Sequence, residues 1–368
     1  MMKVMMKMNN LEVKNISFNY DGVNDVIKNI SFAIDENDFL VILGASGDGK
    51  TTLLKIISGL LKQDSGSVYF NNQCIDNLMG RDRHISYIFQ ENFLYTHMTI
   101  YQNLLMGFKK QKITDEEKDL KIKEILKIFK ITKFINLKPT HLSLGERQKI
   151  SIAKAILSND QIYLFDEPFS ALDQQSRDSY LPLLKQAHEV KKCPFIYVTH
   201  DQKDAYKIAS KIMIIKKGKI LQFGSLYEVN NNPEYLEVRE YFGEKLNIFE
   251  IDIDELEMTL LLNNKKILLK NKNITNYLGK ALIGIETKLF TIIDEETEKS
   301  FKAIFIDTFI DNDGIEYAHL MVNNKEITVR KNQDQIFERN EEVNVVFEED
   351  YYLFDRFTHK NIATQKGC

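Results

Sequence analysis

The eight residues Gly44-Ala45-Ser46-Gly47-Asp48-Gly49-Lys50-Thr51 constrain this chain more than any other part of it. They fit the pattern GxxxxGK(S/T), in which glycines let the backbone curl until successive N–H groups point inward at an anion. The flanks decide whether such a run is more than a flexible turn. Before it, Asp38 to Gly44 (DFLVILG) is too short for a helix and too continuously apolar for a half-exposed strand, so it reads as a buried parallel strand. After it, TTLLKIISGLL has apolar residues at helical spacing. Strand, loop and helix in this order bring the positive end of the helix dipole to the loop. A nucleotide phosphate chain is the ligand that this arrangement suits. Gly44, Ala45, Ser46, Gly47, Asp48, Gly49, Lys50, Thr51 and Thr52 are therefore the candidate ATP-binding run, with Lys50 reaching the β/γ-phosphates and Thr51 offering a hydroxyl to Mg²⁺.

A second apolar strand, QIYLFDEP from Gln161 to Pro168, ends in Asp166 and Glu167. In phosphate-loop enzymes an Asp at a strand end holds Mg²⁺. A Glu next to it can take a proton from an attacking water, a general-base role that contributes on the order of 10²–10⁴ in rate. On its own an acidic pair after an apolar strand is an ordinary solvated loop. The upstream loop gives this pair its second reading.

The 368 residues suffice for two domains, each with its own core. With 49 basic and 53 acidic residues the charges nearly cancel, which leaves no global footprint of a nucleic-acid binder. Cys74, Cys193 and Cys368 are widely spaced, show no metal-ligand pattern and point to a reducing compartment. The opening MMKVMMKMNN lacks the apolar run and cleavage site of a secretory signal and reads as a frayed end. No run of about 18 apolar residues exists to span a bilayer as a helix. Any membrane role must come through a partner.

Between the two nucleotide elements, Leu142-Ser143-Leu144-Gly145-Glu146-Arg147-Gln148-Lys149 leads into ISIAKAIL, a Ser-capped turn opening an amphipathic helix. The segment resembles the signature of ABC ATPases, usually written LSGGQ. That resemblance implies that Ser143, Leu144, Gly145 and Glu146 contact ATP bound by a second copy. Further motifs resemble the same family in its own order. Tyr20 stands where an aromatic stacks on adenine, Gln90 in YIFQENF resembles the glutamine that links Mg²⁺ to the transmembrane partner, Ser170-Ala171-Leu172-Asp173 resembles the dimer-interface loop, and His200 in FIYVTHDQKDA resembles the switch histidine. Catalytic roles for Glu167, His200 and Gln90, Mg²⁺ ligation by Thr51, Gln90 and Asp166, and an interface role for Asp173 follow as expectations. Taken singly, His200 reads as a satisfied loop histidine. Three residues depart from the signature: Leu144 replaces one glycine of the Gly-Gly pair, Glu146 the customary Gln, and Lys149 an Arg. Leu144 adds bulk and Glu146 negative charge close to the expected γ-phosphate.

From Glu91 to about Lys133 helix formers dominate, with apolar residues recurring at three and four in EEKDLKIKEILKIFKI, so a helical subdomain is expected over about 91–160. LYTHMTIYQNLLMGFK resembles importer ATPases for sugars, polyamines or ferric iron. This implies permease contact near Glu91 to Gly107, a homodimer, a peripheral position on the cytoplasmic face of the membrane, and an extracytoplasmic solute-binding protein as an indirect partner. For Leu94 and Met98 taken singly, packing within the subdomain is the better account. A soluble ABC ATPase of ribosome or nucleic acid, or an ATP-binding regulator without turnover, is the alternative; the single set of motifs and the lack of sustained heptads argue against the first.

After Tyr241-Phe242-Gly243 the texture changes to short alternating runs such as NIFEIDI, KALIGIE and FKAIFIDTFI, punctuated by Asn, Asp and Gly. The expectation is an α/β phosphate-loop NTPase of ABC ATPase type over 1–243, followed by a small all-β OB-like domain over 244–368. Gly284-Ile285-Glu286 and Tyr352-Leu353-Phe354-Asp355 resemble the family's C-terminal OB-like (TOBE) domain, although Glu286-Thr287-Lys288 stands where Arg-Pro-Glu is usual. An OB-type barrel also admits oligonucleotides, but no basic face interleaved with aromatics accompanies this one.

Overall fold

A computed structural model describes residues 10–89, 94–108, 111–243, 245–254, 257–263, 265–269, 277–311, 314–332 and 334–363. Two compact units divide the chain, Met1–Val229 and Asn230–Cys368. Of Tyr241-Phe242-Gly243, where the sequence changes texture, Tyr241 ends the helix Leu236–Tyr241, and Phe242 and Gly243 follow it before the strand that begins at Leu246.

The first unit opens with an antiparallel hairpin, β1 (Leu11–Asn19) and β2 (Asp25–Ile34), in which Leu11 faces Ile34 and Asn19 faces Asp25. Its turn is set by Asp21, whose Oδ1 accepts from the N–H groups of Val23 and Asn24. β3 (Phe39–Leu43) runs into the glycine-rich loop and then α1 (Lys50–Ser58). β4 (Ser65–Phe70) and β5 (Gln73–Cys74) complete a sheet of order β2-β1-β4-β5. After β6 (Ile85–Ile88) come α2 (Ile100–Leu105), α3 (Asp115–Ile128) and α4 (Leu144–Ile156). Each of these three helices starts with a capping box. Thr99 with Gln102, Thr114 with Glu117, and Ser143 with Glu146 satisfy orphan backbone N–H groups reciprocally, which is why the helices begin where they do.

β7 (Ile162–Asp166), α5 (Gln174–Lys191), β8 (Phe195–Thr199), α6 (Gln202–Ile208), β9 (Lys211–Lys216), β10 (Lys219–Ser225) and α7 (Leu226–Asn231) follow. The large sheet has order β10-β9-β3-β8-β7-β6, parallel except for the β9/β10 pair. Its central strands are buried on both faces, as their continuous apolar sequences require. One face, with Leu40, Ile42, Leu164, Ile196 and Val198, shares a core with Leu53 and Ile57 of α1 and with the antiparallel sheet, so α1 is clamped between two sheets. On the other face Phe39 and Phe195 pack against His188 of α5, at ring-centroid distances of 5.3 and 5.0 Å.

Among its described residues the second unit contains α8 (Leu236–Tyr241) and ten strands in two antiparallel sheets. The strands are β11 (Leu246–Ile253), β12 (Met258–Leu262), β13 (Lys265–Leu269), β14 (Gly279–Glu286), β15 (Phe290–Ile293), β16 (Phe301–Ile310), β17 (Glu316–Val322), β18 (Lys325–Arg330), β19 (Glu342–Phe347) and β20 (Tyr352–Asp355). Their orders are β13-β12-β11-β14-β20 and β15-β19-β16-β17-β18. Alternate residues of both sheets, Ile251, Leu260 and Ile283 with Phe301, Leu320 and Val345, fill a single core. A buried Arg239 ties α8 to this unit. Its Nη2 lies 2.7 Å from Glu286 Oε1 and its guanidinium 4.8 Å over the Tyr352 ring.

Candidate active site

Neighbouring parallel strands of the large sheet deliver the motif residues to one edge. β3 ends at Leu43 beside Thr199 of β8, and Val198 of β8 stands beside Asp166 of β7. The residues that leave the carboxyl ends of these strands are Gly44, His200 and Glu167, in the crevice where open α/β sheets bind ligands.

The loop after β3 is shaped before any ligand arrives. Asp48 accepts from the Ala45 N–H through Oδ2 (2.7 Å) and from the Lys217 N–H through Oδ1 (2.8 Å), so its side chain is an internal brace. A Cβ on Gly44 would come 2.5 Å from the Ile215 carbonyl oxygen, and Gly49 has φ 98° with Val26 O 2.9 Å from where its Cβ would be. Both positions exclude side chains, and Gly49 also uses the left-handed backbone that glycine tolerates. Lys50, 5% exposed, donates to the carbonyls of Gly44 (2.9 Å) and Ala45 (2.8 Å). Burial pushes its pKa down, and the charges of Glu167, Asp48 and Asp166 pull it back up. Such an ammonium is poised for an anion.

At the base of α1, Thr51 Oγ1 donates to Asp166 Oδ1 at 2.8 Å. The hydroxyl keeps its lone pairs free while its proton is engaged, which with the carboxylate makes a hard-oxygen pair suited to Mg²⁺ shared with phosphates. Tyr87 of β6 donates to the other oxygen, Asp166 Oδ2, at 2.7 Å. Burial, with the Asp166 charge next, raises the Tyr87 pKa far above the phenol range, so the phenol stays a donor. Thr52 Oγ1 lies 3.1 Å from the Tyr20 hydroxyl, while the exposed Tyr20 ring meets Phe18 edge-on at 4.8 Å.

Glu167 has φ 46°, a conformation that costs a non-glycine residue on the order of 1 kcal/mol. Its N–H donates to Val198 O, and its carbonyl accepts from both the N–H and the hydroxyl of Ser170, which hold the strained residue in place. Its Oε2 is 3.6 Å from His200 Nδ1. Asp173 caps α5 by accepting from the Ser176 N–H (2.9 Å), and that hydrogen bond lowers its pKa. Arg177, one turn on, donates to Asp201 Oδ2 at 2.7 Å. Asp201 directly follows His200 and caps α6, so Arg177 links the segment after Glu167 to the segment after His200.

In the signature segment Ser143 is the N-cap of α4. Glu146 Oε2 accepts from both the Ser143 N–H and hydroxyl at 2.9 Å. The Glu146 charge is thus met by local donors. Leu144 is 42% exposed, and a Cβ on Gly145 would lie 3.0 Å from the Tyr180 hydroxyl. Lys149 stands 4.0 Å over the Tyr180 ring. Gln90, and residues 91–93 of the expected permease-facing stretch, lie outside the described residues. Sequence reasoning missed Tyr87 and Arg177. A Tyr in an apolar strand and an Arg inside a helix carry no pattern of their own.

A parallel sheet with a brace-shaped glycine loop at its carboxyl edge is the architecture of phosphate-loop nucleotide-binding proteins. Residues 27–170 match the ABC transporter family. Over 245 residues, 67% of the chain, it is 38% identical to the spermidine/putrescine import ATP-binding protein PotA of Haemophilus influenzae (strain 86-028NP), and this match spans 65% of that relative's length. Over 361 residues it is 30% identical to the Fe(3+) ions import ATP-binding protein FbpC of Fusobacterium nucleatum subsp. nucleatum, covering 97% of this chain and 94% of that one. The solved structure of cbiO1 from Clostridium perfringens, part of the ABC transporter complex cbiONQ, superimposes with TM-score 0.55 at 26% identity over 60% of this chain and 89% of its own. The chain belongs to the ABC transporter family, among its ATP-binding subunits.

Proposed function

We propose that this chain is the ATP-hydrolysing motor subunit of an ABC importer, working as a homodimer on the cytoplasmic face of a membrane. The observation that carries the reading is the 2.8 Å contact between Thr51 and Asp166, which joins the phosphate loop to the acidic strand end across 115 residues of sequence. Lys50 and the loop N–H groups of residues 44–52 take the phosphates, and Tyr20 lies beside the base. Thr51, Asp166 and Gln90 would hold Mg²⁺, which would supply positive charge against the phosphates. Glu167 accepts a proton from water as the water oxygen bonds to the γ-phosphorus and the bond to ADP breaks. His200, within 3.6 Å of that carboxylate, orients the pair. Ser143, Leu144, Gly145 and Glu146 of a second copy close over the same nucleotide, with Asp173 at the seam.

Closure on ATP moves the helical region and with it a permease that docks near Glu91 to Gly107. A cavity of about 360 Å³ lined by Tyr87, Phe89, Met106 and Lys154 suits such docking. No described helix is long and apolar enough to cross a membrane. Relatives are named for import of a polyamine, of Fe(3+) and of sn-glycerol-3-phosphate, so the cargo proposed is a small solute delivered by an extracytoplasmic binding protein. The test is to tag the Glu167→Gln chain in its host, solubilise membranes gently and identify what copurifies. A polytopic permease supports the reading; ribosomal or DNA-associated proteins alone, with the chain absent from membranes, sink it.

A further inference from the structure

The Asp166 carboxylate is held from two sides by different elements. Thr51, at the start of α1, donates to Oδ1 at 2.8 Å, and Tyr87, on the edge strand β6, donates to Oδ2 at 2.7 Å. The two O–H donors fix both the rotation and the tilt of the carboxylate plane. A carboxylate held by one donor turns about its terminal torsion, because that torsion is broad. Tyr87 is itself fixed. It stands in register with Leu164, two residues before Asp166, and it packs against the core shared by the two sheets. Its ring lies 4.4 Å from that of Phe89. The hydroxyl therefore reaches Asp166 from a strand whose position the sheet sets, not from a mobile loop.

Groups that hydrogen-bond a metal-binding carboxylate set its direction, and losing one typically weakens metal binding by 10–100-fold. We propose that Tyr87 is a positioning residue for the divalent-cation site, holding Asp166 in the orientation that presents it, beside Thr51, to a nucleotide-borne cation. This rests on the ATP-binding reading above. The same ring lines the cavity beside α4, so the carboxylate's tether reaches from the nucleotide edge of the sheet to the cleft.

Tyr87→Phe in the full-length chain removes the hydroxyl and keeps the ring. Three quantities are compared with wild type: Mn²⁺ affinity, by the paramagnetic signal of the free ion in the presence of a non-hydrolysable ATP analogue; affinity for the analogue in excess EDTA; and the apparent KM for Mg²⁺ against kcat. The variant is expected to bind Mn²⁺ about tenfold more weakly, to bind the analogue unchanged in EDTA, and to regain its kcat at saturating Mg²⁺. Mn²⁺ affinity within twofold of wild type overturns the proposal. Equal loss of cation-free nucleotide binding overturns it too, since the hydroxyl is then only part of the scaffold. A wild-type chain that binds no analogue instead removes the ATP reading itself, and Tyr87's role with it.

Discussion

Thr51 Oγ1 and Asp166 Oδ1 meet at 2.8 Å, although the two residues belong to different crossovers of the parallel sheet. One comes from the helix that follows the glycine loop and the other from the end of a buried strand. Nothing in the packing of apolar side chains requires a hydroxyl and a carboxylate at this junction. The phosphate-borne cation proposed above does.

Lys50→Ala should abolish measurable ATP binding. The ammonium is buried, braced on the Gly44 and Ala45 carbonyls and surrounded by Asp48, Asp166 and Glu167. Removing it takes away the ammonium that meets the phosphates and leaves the charges of Asp166 and Glu167 beside them. Calorimetry of ATP binding checks this, and unchanged affinity would overturn the loop assignment.

Glu146→Gln should leave stability unaltered, because glutamine also completes a capping box, whereas Glu146→Ala should cost on the order of 1 kcal/mol. In the dimer proposed above, the glutamine variant also takes a negative charge away from the neighbourhood of the partner's γ-phosphate. At roughly 1 kcal/mol for a partly screened pair, ATP turnover should rise about fivefold. Thermal melts and steady-state rates of the two variants separate the capping effect from the charge effect.

Asp204 lies buried in α6, and burial raises its pKa above the ordinary carboxylate value, while hydrogen bonds from Tyr197 and Thr199 offset part of that rise. Below pH 3.8 the carboxyl is protonated in folded and unfolded chains alike and exacts no penalty. As pH climbs past 3.8 the unfolded chain ionises first, so folding loses stability until the folded pKa is passed, after which the penalty is constant. Asp204→Asn cannot ionise. Its melting temperature relative to wild type should therefore rise between about pH 4 and neutrality, and a difference independent of pH would contradict the argument.

In the β-rich unit, Arg239→Ala breaks a buried ion pair and leaves Glu286 with the half-exposed Lys288 as its remaining cation. With Lys288 still 2.7 Å from Glu286 the carboxylate keeps part of its compensation, and a loss of about 2 kcal/mol is expected, short of the roughly 3 kcal/mol of an uncompensated buried charge. Denaturant unfolding of the full chain measures it.

Much of this architecture was legible in the residues, for reasons that differ from element to element. The two nucleotide segments announced themselves because strand, glycine loop and helix each demand their own residue types. The starts of α2, α3 and α4 are written as Thr or Ser followed three residues later by Gln or Glu, a local signal that needs no tertiary context. The strands of the second unit were visible by alternation, but not their division into two sheets with one core, since pairing such as Leu246 with Glu286 is a long-range property. Tyr87 and Arg177 were invisible for the same reason. Their partners, Asp166 and Asp201, lie 79 and 24 residues away, and only the folded sheet brings them together.

Turnover and self-association of the Glu167→Gln chain test the central claim most directly. Wild type should hydrolyse ATP, and the variant should do so at least about a hundredfold more slowly. With ATP present, light scattering should show the variant doubling in mass, because two copies stay closed on nucleotide they cannot cleave. Near-normal turnover in the variant would remove Glu167 from the role of base. A monomer that persists in saturating ATP would contradict the shared site between two copies.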